Sequence, residues 1–229
     1  VFGQGDAGFE KLADALYLVD GPYQNPYELM TFYDNHDMPR LDADDSGFIN
    51  AHNWLFTARG IPVVYYGSET SFMRGRAEHE GNRNYYGQQR IDAGLNSPIY
   101  GNLKRIAQVR RESPALQRGL QLNLLLDGDR AAFYRVYQHG DSAQTALVLL
   151  NKGDTPAQFS FRDKLQAGTW RSAISGNTYQ IDARKPRFKA EVPAHGVDVL
   201  LFDGALSAPS LLSALDRLQA GKQRRTNGG

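Results

Sequence analysis

Two short apolar runs with a helical stretch between them set the strongest limit on how this chain can fold. Leu29-Met30-Thr31-Phe32-Tyr33 and Ile61-Pro62-Val63-Val64-Tyr65-Tyr66 are brief and rich in β-branched and aromatic side chains, and Gly67 closes the second. Runs of this kind suit strands buried on both faces. Between them Phe48, Ile49, Trp54, Leu55 and Ala58 recur at helical spacing over residues 46–59, and Gly60 stops the pattern. A strand, a helix and a strand in that order make a βαβ unit. Its strands are expected to be parallel, with functional loops leaving their C-terminal ends. Asn35-His36-Asp37 and Ser68-Glu69 fall just past those ends.

The flanking segments extend this picture. Phe9, Leu12, Ala13, Leu16 and Tyr17 predict a short amphipathic helix over residues 9–18. A long loop rich in Gly, Arg and Asn occupies residues 71–94, and a helix is expected over 99–111. From Gly119 the texture changes to short strand-like segments at 131–137, 146–150, 158–161, 170–174 and 197–202, separated by turn signals such as His139-Gly140-Asp141 and Ser175-Gly176-Asn177. Regular spacing of this sort predicts an antiparallel β-sandwich of about 85 residues. The expected fold class is therefore α/β followed by all-β, with the boundary near Ser113-Pro114: residues 1–113, then 114–204, then a helix and a disordered basic tail over 205–229.

Composition narrows the partners. Hydrophobic residues make up 41% and charged residues 22%, as in an ordinary globular protein. Lys plus Arg (26) nearly balances Asp plus Glu (25), so no global field points to nucleic acid or to an anionic membrane, and neither is an expected partner. No apolar run approaches the roughly 20 residues needed to span a bilayer. The absence of cysteine removes disulfides, thiolate metal sites and Cys nucleophiles. The chain opens on Val1-Phe2-Gly3-Gln4-Gly5, without an initiator Met or a leader pattern, which reads as a cut or processed end.

Asp34-Asn35-His36-Asp37 places an amide, an imidazole and a carboxylate at the mouth of a parallel sheet. A carboxylate can accept two hydrogen bonds from vicinal sugar hydroxyls and stabilise an oxocarbenium-like transition state. The residues alone leave another reading open, in which Asp37 caps the next loop and His36 and Asn35 satisfy turn backbone. Taken with its surroundings the segment resembles more than a turn. Phe32-Tyr33-Asp34-Asn35-His36-Asp37-Met38-Pro39-Arg40, a helix, and Gly60-Ile61-Pro62-Val63-Val64-Tyr65-Tyr66-Gly67-Ser68-Glu69 resemble the seventh and eighth strand region of the α-amylase family, glycoside hydrolase family 13. Asn35-His36-Asp37-Met38 and Gly81-Asn82-Arg83 bring the cyclodextrin glucanotransferase and maltogenic amylase branches to mind.

The resemblance implies the C-terminal part of a (β/α)8 barrel, its last two strands and helices, followed by a β-sandwich. It implies an enzyme acting on the α-1,4 bonds of starch or maltodextrin with retention, secreted or periplasmic. Asp37 would be the third catalytic carboxylate, a transition-state stabiliser. His36 and Asn35 would hold hydroxyls of the reacting sugar, and Arg83, with His79 or Glu80 behind it, would meet donor-side sugars. Glu69, Trp54 and Trp170 are read as structural. Calcium is common in the family, but no residue here is assigned to it and no other cofactor is expected. A retaining glycosidase needs a nucleophile and an acid/base carboxyl about 5–5.5 Å apart. The family's Gly-x-Arg-x-Asp segment and its catalytic Glu have no match here, so this chain alone is expected to be inactive and to need the missing N-terminal part of the same enzyme. The alternative is a non-catalytic carbohydrate- or partner-binding β-sandwich protein carrying a relic barrel segment.

Overall fold

The computed structural model describes residues 1–3, 7–19, 21–80 and 82–226. Strand β1 (Met30–Thr31) and strand β2 (Ile61–Pro62) pair in parallel, joined by helix α1 (Asp45–Thr57). The Ile61 and Val63 amides donate to the Leu29 and Thr31 carbonyls, both at 2.8 Å. Pro62, which has no N–H, sits between these donors, so its nitrogen faces away from β1 and costs the pair nothing. Asp44 caps α1 by accepting from the Gly47 amide at 2.8 Å. Gly60, at φ +99°, brings the chain back against β1, where a Cβ would stand 2.7 Å from Thr31 Cγ2.

Two sequence expectations fail here. The strands are two residues long rather than five or six, and they are not buried on both faces, since Met30 is 68% and Ile61 49% exposed. The apolar runs are those of interior strands, but among the described residues each strand has only the other as a sheet neighbour. Residues 9–18 also differ. They form a 3-10 turn at Phe9–Ala15 in place of an amphipathic helix, anchored by Phe9, which is buried against Phe2 and Trp54.

Helix α2 (Gln88–Gly94) lies in the long loop, and α3 (Pro98–Glu112) packs against α1 through an interior that includes Ile99, Ile106 and Val109. Ser113 ends α3 and caps α4 (Pro114–Arg118), accepting from the Leu116 amide at 3.2 Å. Strands β3 (Leu120–Asp127), β4 (Arg130–His139), β5 (Ser142–Asn151), β7 (Gly168–Ser172), β8 (Thr178–Ile181) and β10 (Gly196–Asp203) form an antiparallel sheet in the order β3-β4-β5-β10-β7-β8. Strands β6 (Ala157–Phe161) and β9 (Phe188–Val192) form a separate antiparallel ribbon.

The central strands of the large sheet are buried on both faces, which explains the unbroken apolar run Ala146-Leu147-Val148-Leu149-Leu150. Tyr134, Leu147, Trp170 and Leu200 pack toward the ribbon and toward Leu211 and Leu215 of helix α5 (Pro209–Thr226). Phe133, Val148 and Val199 pack toward Phe9, Ile106 and Leu116. Trp170 is fully buried and Trp54 lies edge-on to Phe133, so both are packing residues. The backbone of helix α5 runs through Thr226, and the side chains of residues 221–226, where the basic tail was expected, lie outside the description. Residues 227–229 lie outside the described residues.

Two buried guanidiniums tie the helical part to the sheet. Arg110 donates to the carbonyls of Phe56 (3.0 Å) and Gly60 (2.6 Å), and Arg135 of β4 donates to those of Thr57 (2.7 Å) and Gly119 (3.1 Å). The Phe56, Thr57 and Gly60 carbonyls are orphans at and just beyond the C-terminus of α1, where the helix dipole favours positive charge, and Gly119 follows α4.

Candidate active-site rim

The chain leaves β1 into a polar turn held by its own side chains. Asn35 Oδ1 accepts the Asp37 amide at 2.7 Å, an Asx turn, which frees the Asp37 carboxylate from any capping duty. That carboxylate is held from both sides. Arg83 Nη2 donates to Oδ1 at 2.9 Å, and His36 Nε2 lies 3.1 Å from Oδ2. Side-chain exposures of 63% for Asp37, 60% for His36 and 52% for Arg83 make this an open rim rather than an enclosed pocket. Arg83 also donates from Nε to the His36 carbonyl at 3.0 Å, so one guanidinium fixes the turn and the carboxylate together.

The support beneath the rim was not legible in the sequence. Asn82 is fully buried. Its Nδ2 donates to the carbonyls of His36 (2.7 Å) and Met38 (3.1 Å), while its Oδ1 accepts the His79 amide at 3.0 Å. Arg40, 2% exposed, lies 4.5 Å from the ring centroid of Tyr65, 4.8 Å from that of Tyr66 and 5.5 Å from that of Phe72. Its guanidinium donates to the Tyr66 carbonyl (2.7 Å), Ser68 Oγ (3.1 Å) and the Asn82 carbonyl (3.2 Å). Ser68 in turn donates to Asp34 Oδ1 at 2.8 Å, and the Leu41 amide donates to Asp34 Oδ2. Desolvation raises the Asp34 carboxyl above its ordinary range, partly countered by these hydrogen bonds and by Arg40. The Asp37 turn and the loop around residues 76–84 are thereby joined through buried polar groups. The one available signal was the pairing of Pro39-Arg40 and Asn82-Arg83 in the two loops.

The remaining predicted residues divide. The His79 side chain faces Glu78 (2.9 Å) and not Asp37. Glu80 is exposed, and Gly81 lies outside the described residues. Glu69 is partly buried in a 3-10 turn at Ser68–Thr70, but no hydrogen bond to its carboxylate is found among the described residues, in contrast to the expected paired carboxylate. Among the described residues no three His, Asp or Glu side chains converge as a metal cluster would require. No described helix is long and apolar enough to cross a membrane.

Behind the rim, Tyr33 Oη lies 2.7 Å from His52 Nε2 and 3.4 Å from the Ser68 carbonyl. His52 Nδ1 meets no partner among the described residues. The neutral ring is therefore best served by a proton on Nε2, donated to Tyr33, whose hydroxyl donates to Ser68. Burial pushes the His52 imidazole down from 6.5 to about 4. The unfolded chain takes up this proton below pH 6.5 while the folded chain resists it. The stabilisation is thus complete above about pH 6.5 and is lost as pH falls toward 4, to the extent of up to about 3 kcal/mol. Melting temperatures measured from pH 7 to pH 4.5 are expected to fall more steeply for the wild type than for His52→Gln, and parallel slopes would contradict this.

No family model matches the chain. An α-amylase of Streptomyces lividans is 24% identical over 217 residues, covering 81% of this chain and 24% of its own. A cyclomaltodextrin glucanotransferase of Paenibacillus macerans is 27% identical over 181 residues, covering 77% of this chain and 24% of its own. The chain is thus similar in sequence to α-amylases and cyclomaltodextrin glucanotransferases. An α-amylase crystal structure from Anoxybacillus shares the fold, with a TM-score of 0.74 at 20% identity, over 90% of this chain and 45% of its own. The chain spans 24% of the length of each of these two curated relatives.

Proposed function

We propose that this chain is the part of a retaining α-glucan-acting glycosidase or transglycosidase that carries the transition-state-stabilising carboxylate. The observation that carries the reading is Asp37 itself, an exposed carboxylate held by Arg83 and His36 and released from turn capping by Asn35. Residues 1–113 are read as the last two strands and helices of the catalytic barrel, 114–204 as its β-sandwich, and 205–229 as a C-terminal appendage. The exposed Met30 and Ile61 support the barrel assignment, since a strand on either side of β1 and β2 would cover them.

In this reading Asp37 accepts hydroxyls of the sugar at the cleavage point and faces the positive charge that develops as the glycosidic bond breaks. His36 and Asn35 line the same subsite. Arg83 fixes the carboxylate and, with His79, borders the donor side. The nucleophile and the acid/base lie on polypeptide outside these residues, and the whole enzyme acts on starch or maltodextrin outside the cytoplasm. The choice between hydrolysis and transfer rests with acceptor-side loops in that other part.

The test is direct. The purified 229-residue chain, incubated with maltoheptaose, is expected to release no product, because a single carboxylate cannot serve as nucleophile and proton donor at once. Turnover by this chain would overturn the division of labour. Saturable maltooligosaccharide binding confined to residues 120–203 would instead favour a non-catalytic sandwich.

A further inference from the structure

A second charged surface lies on the β6–β9 ribbon, in a different part of the fold from Asp37. Four of the six residues from Arg184 to Lys189 are cationic: Arg184, Lys185, Arg187 and Lys189, all exposed. In β9, buried Phe188, Ala190 and Val192 alternate with exposed Lys189 and Glu191, so Lys189 stands on the outer face. The ribbon register pairs Ser160 with Lys189 and Phe161 with Phe188. One step further sets Arg162 across from Arg187, both exposed. Like charges directly opposite on neighbouring strands destabilise a sheet. Among the described residues none of these five cations has a carboxylate partner. Of the nearby acids, Asp182 accepts the Arg184 and Lys185 amides, Glu191 accepts from Gln158, and Asp163 is exposed beside Arg162. Five cations against these three carboxylates leave a local excess of two positive charges in a chain of net charge +1.

We infer that this face binds an extended carbohydrate polymer bearing phosphate groups. Cations about 5 Å apart across the strands and about 7 Å apart along β9 form a ladder suited to a linear polyanion. Arginine, which supplies three of the five, binds phosphate through two parallel hydrogen bonds. Residues 157–192 contain none of the exposed large hydrophobic or aromatic side chains, so the face has neither a stacking platform for unpaired bases nor a wedge for a bilayer. The carbohydrate carrier is taken from the α-glucan-acting function proposed above, on which this inference rests, while the phosphate preference stands on these cations; the face lies apart from Asp37, so the two are tested separately.

The experiment measures retention of the intact 229-residue chain on a phosphorylated α-glucan and on the same glucan after phosphatase treatment. Binding is expected only to the phosphorylated form, with log affinity falling by about 3 for each tenfold rise in salt if four to five cations engage. Arg187→Glu combined with Lys189→Glu is expected to weaken binding by about 30-fold or more with an unchanged melting temperature, whereas Arg187→Lys keeps most of it. Asp37→Asn leaves it unchanged. Equal binding to the dephosphorylated glucan, wild-type affinity in the double variant, or equally tight binding to single-stranded RNA or to phosphatidylglycerol vesicles would each overturn the inference.

Discussion

In the enzyme that carries this segment, Asp37→Asn is expected to lower kcat on the order of 10³-fold while leaving the melting temperature nearly unchanged. The amide keeps the shape and can still accept from Arg83, but it offers no charge to an oxocarbenium-like transition state. Little stability is at stake. The Asp37 carboxylate is 63% exposed, and exposed ion pairs contribute little. The contrast between the two readouts is what makes the test sharp. A structural Asp37 would shift folding and leave turnover within a few-fold, as the capping alternative requires. That alternative is already weakened, since Asn35 performs the capping and, among the described residues, the Asp37 carboxylate accepts from Arg83 with His36 Nε2 beside it. The same substitution read through KM separates binding from chemistry. If Asp37 also holds ground-state hydroxyls, KM rises along with the fall in kcat.

How much of this was legible in the sequence depends on the range over which each feature is encoded. Helices α1 and α3 were legible because the signals lie within or beside the segment, as with the apolar periodicity and the Gly60 stop of α1. Strands β4, β5 and β10 were legible from dense apolar runs between turn signals. Strands β3, β8 and β9 were missed because their apolar residues alternate or are diluted by charge: Phe188, Ala190 and Val192 are separated by Lys189 and Glu191. The runs around β1 and β2 were read as longer than they are for the opposite reason. Their composition anticipates neighbours on both sides, and pairing along one edge sustains only Met30–Thr31 with Ile61–Pro62.

The rim divides in the same way. Asn35, His36 and Asp37 are contiguous and chemically conspicuous, so they could be named from the residues and the resemblance. Asn82 acts through the His36 and Met38 carbonyls, 46 and 44 positions away, and Arg40 reaches the Asn82 carbonyl across 42. Nothing local marks such residues, because what they bond to is backbone, and backbone carries no sequence signal. His79 lies in the same loop, where Asn82 accepts its amide and its ring faces Glu78.

Arg40→Ala is expected to cost about 3–5 kcal/mol, roughly 10 °C in melting temperature, the largest stability effect of any rim residue. The guanidinium lies over Tyr65, Tyr66 and Phe72 and donates to two carbonyls and a hydroxyl. Its removal opens a cavity, leaves the Tyr66 and Asn82 carbonyls without this donor, and strips the buried Asp34 carboxylate of its nearest positive charge. Arg40→Lys keeps a cation but loses the planar fork and the flat stacking surface, so it should recover only part of the loss. The pH dependence gives an independent check with a definite sign. Desolvation already raises the Asp34 carboxyl, and losing Arg40 raises it further, so the folded variant binds a proton more readily than the unfolded chain. The stability deficit of Arg40→Ala relative to wild type should therefore shrink as pH falls from 7 toward 4, when protonation removes the unsupported charge. A deficit below 1 kcal/mol, or one that grows on acidification, would show that Arg40 does not sustain Asp34 and the two loops as argued.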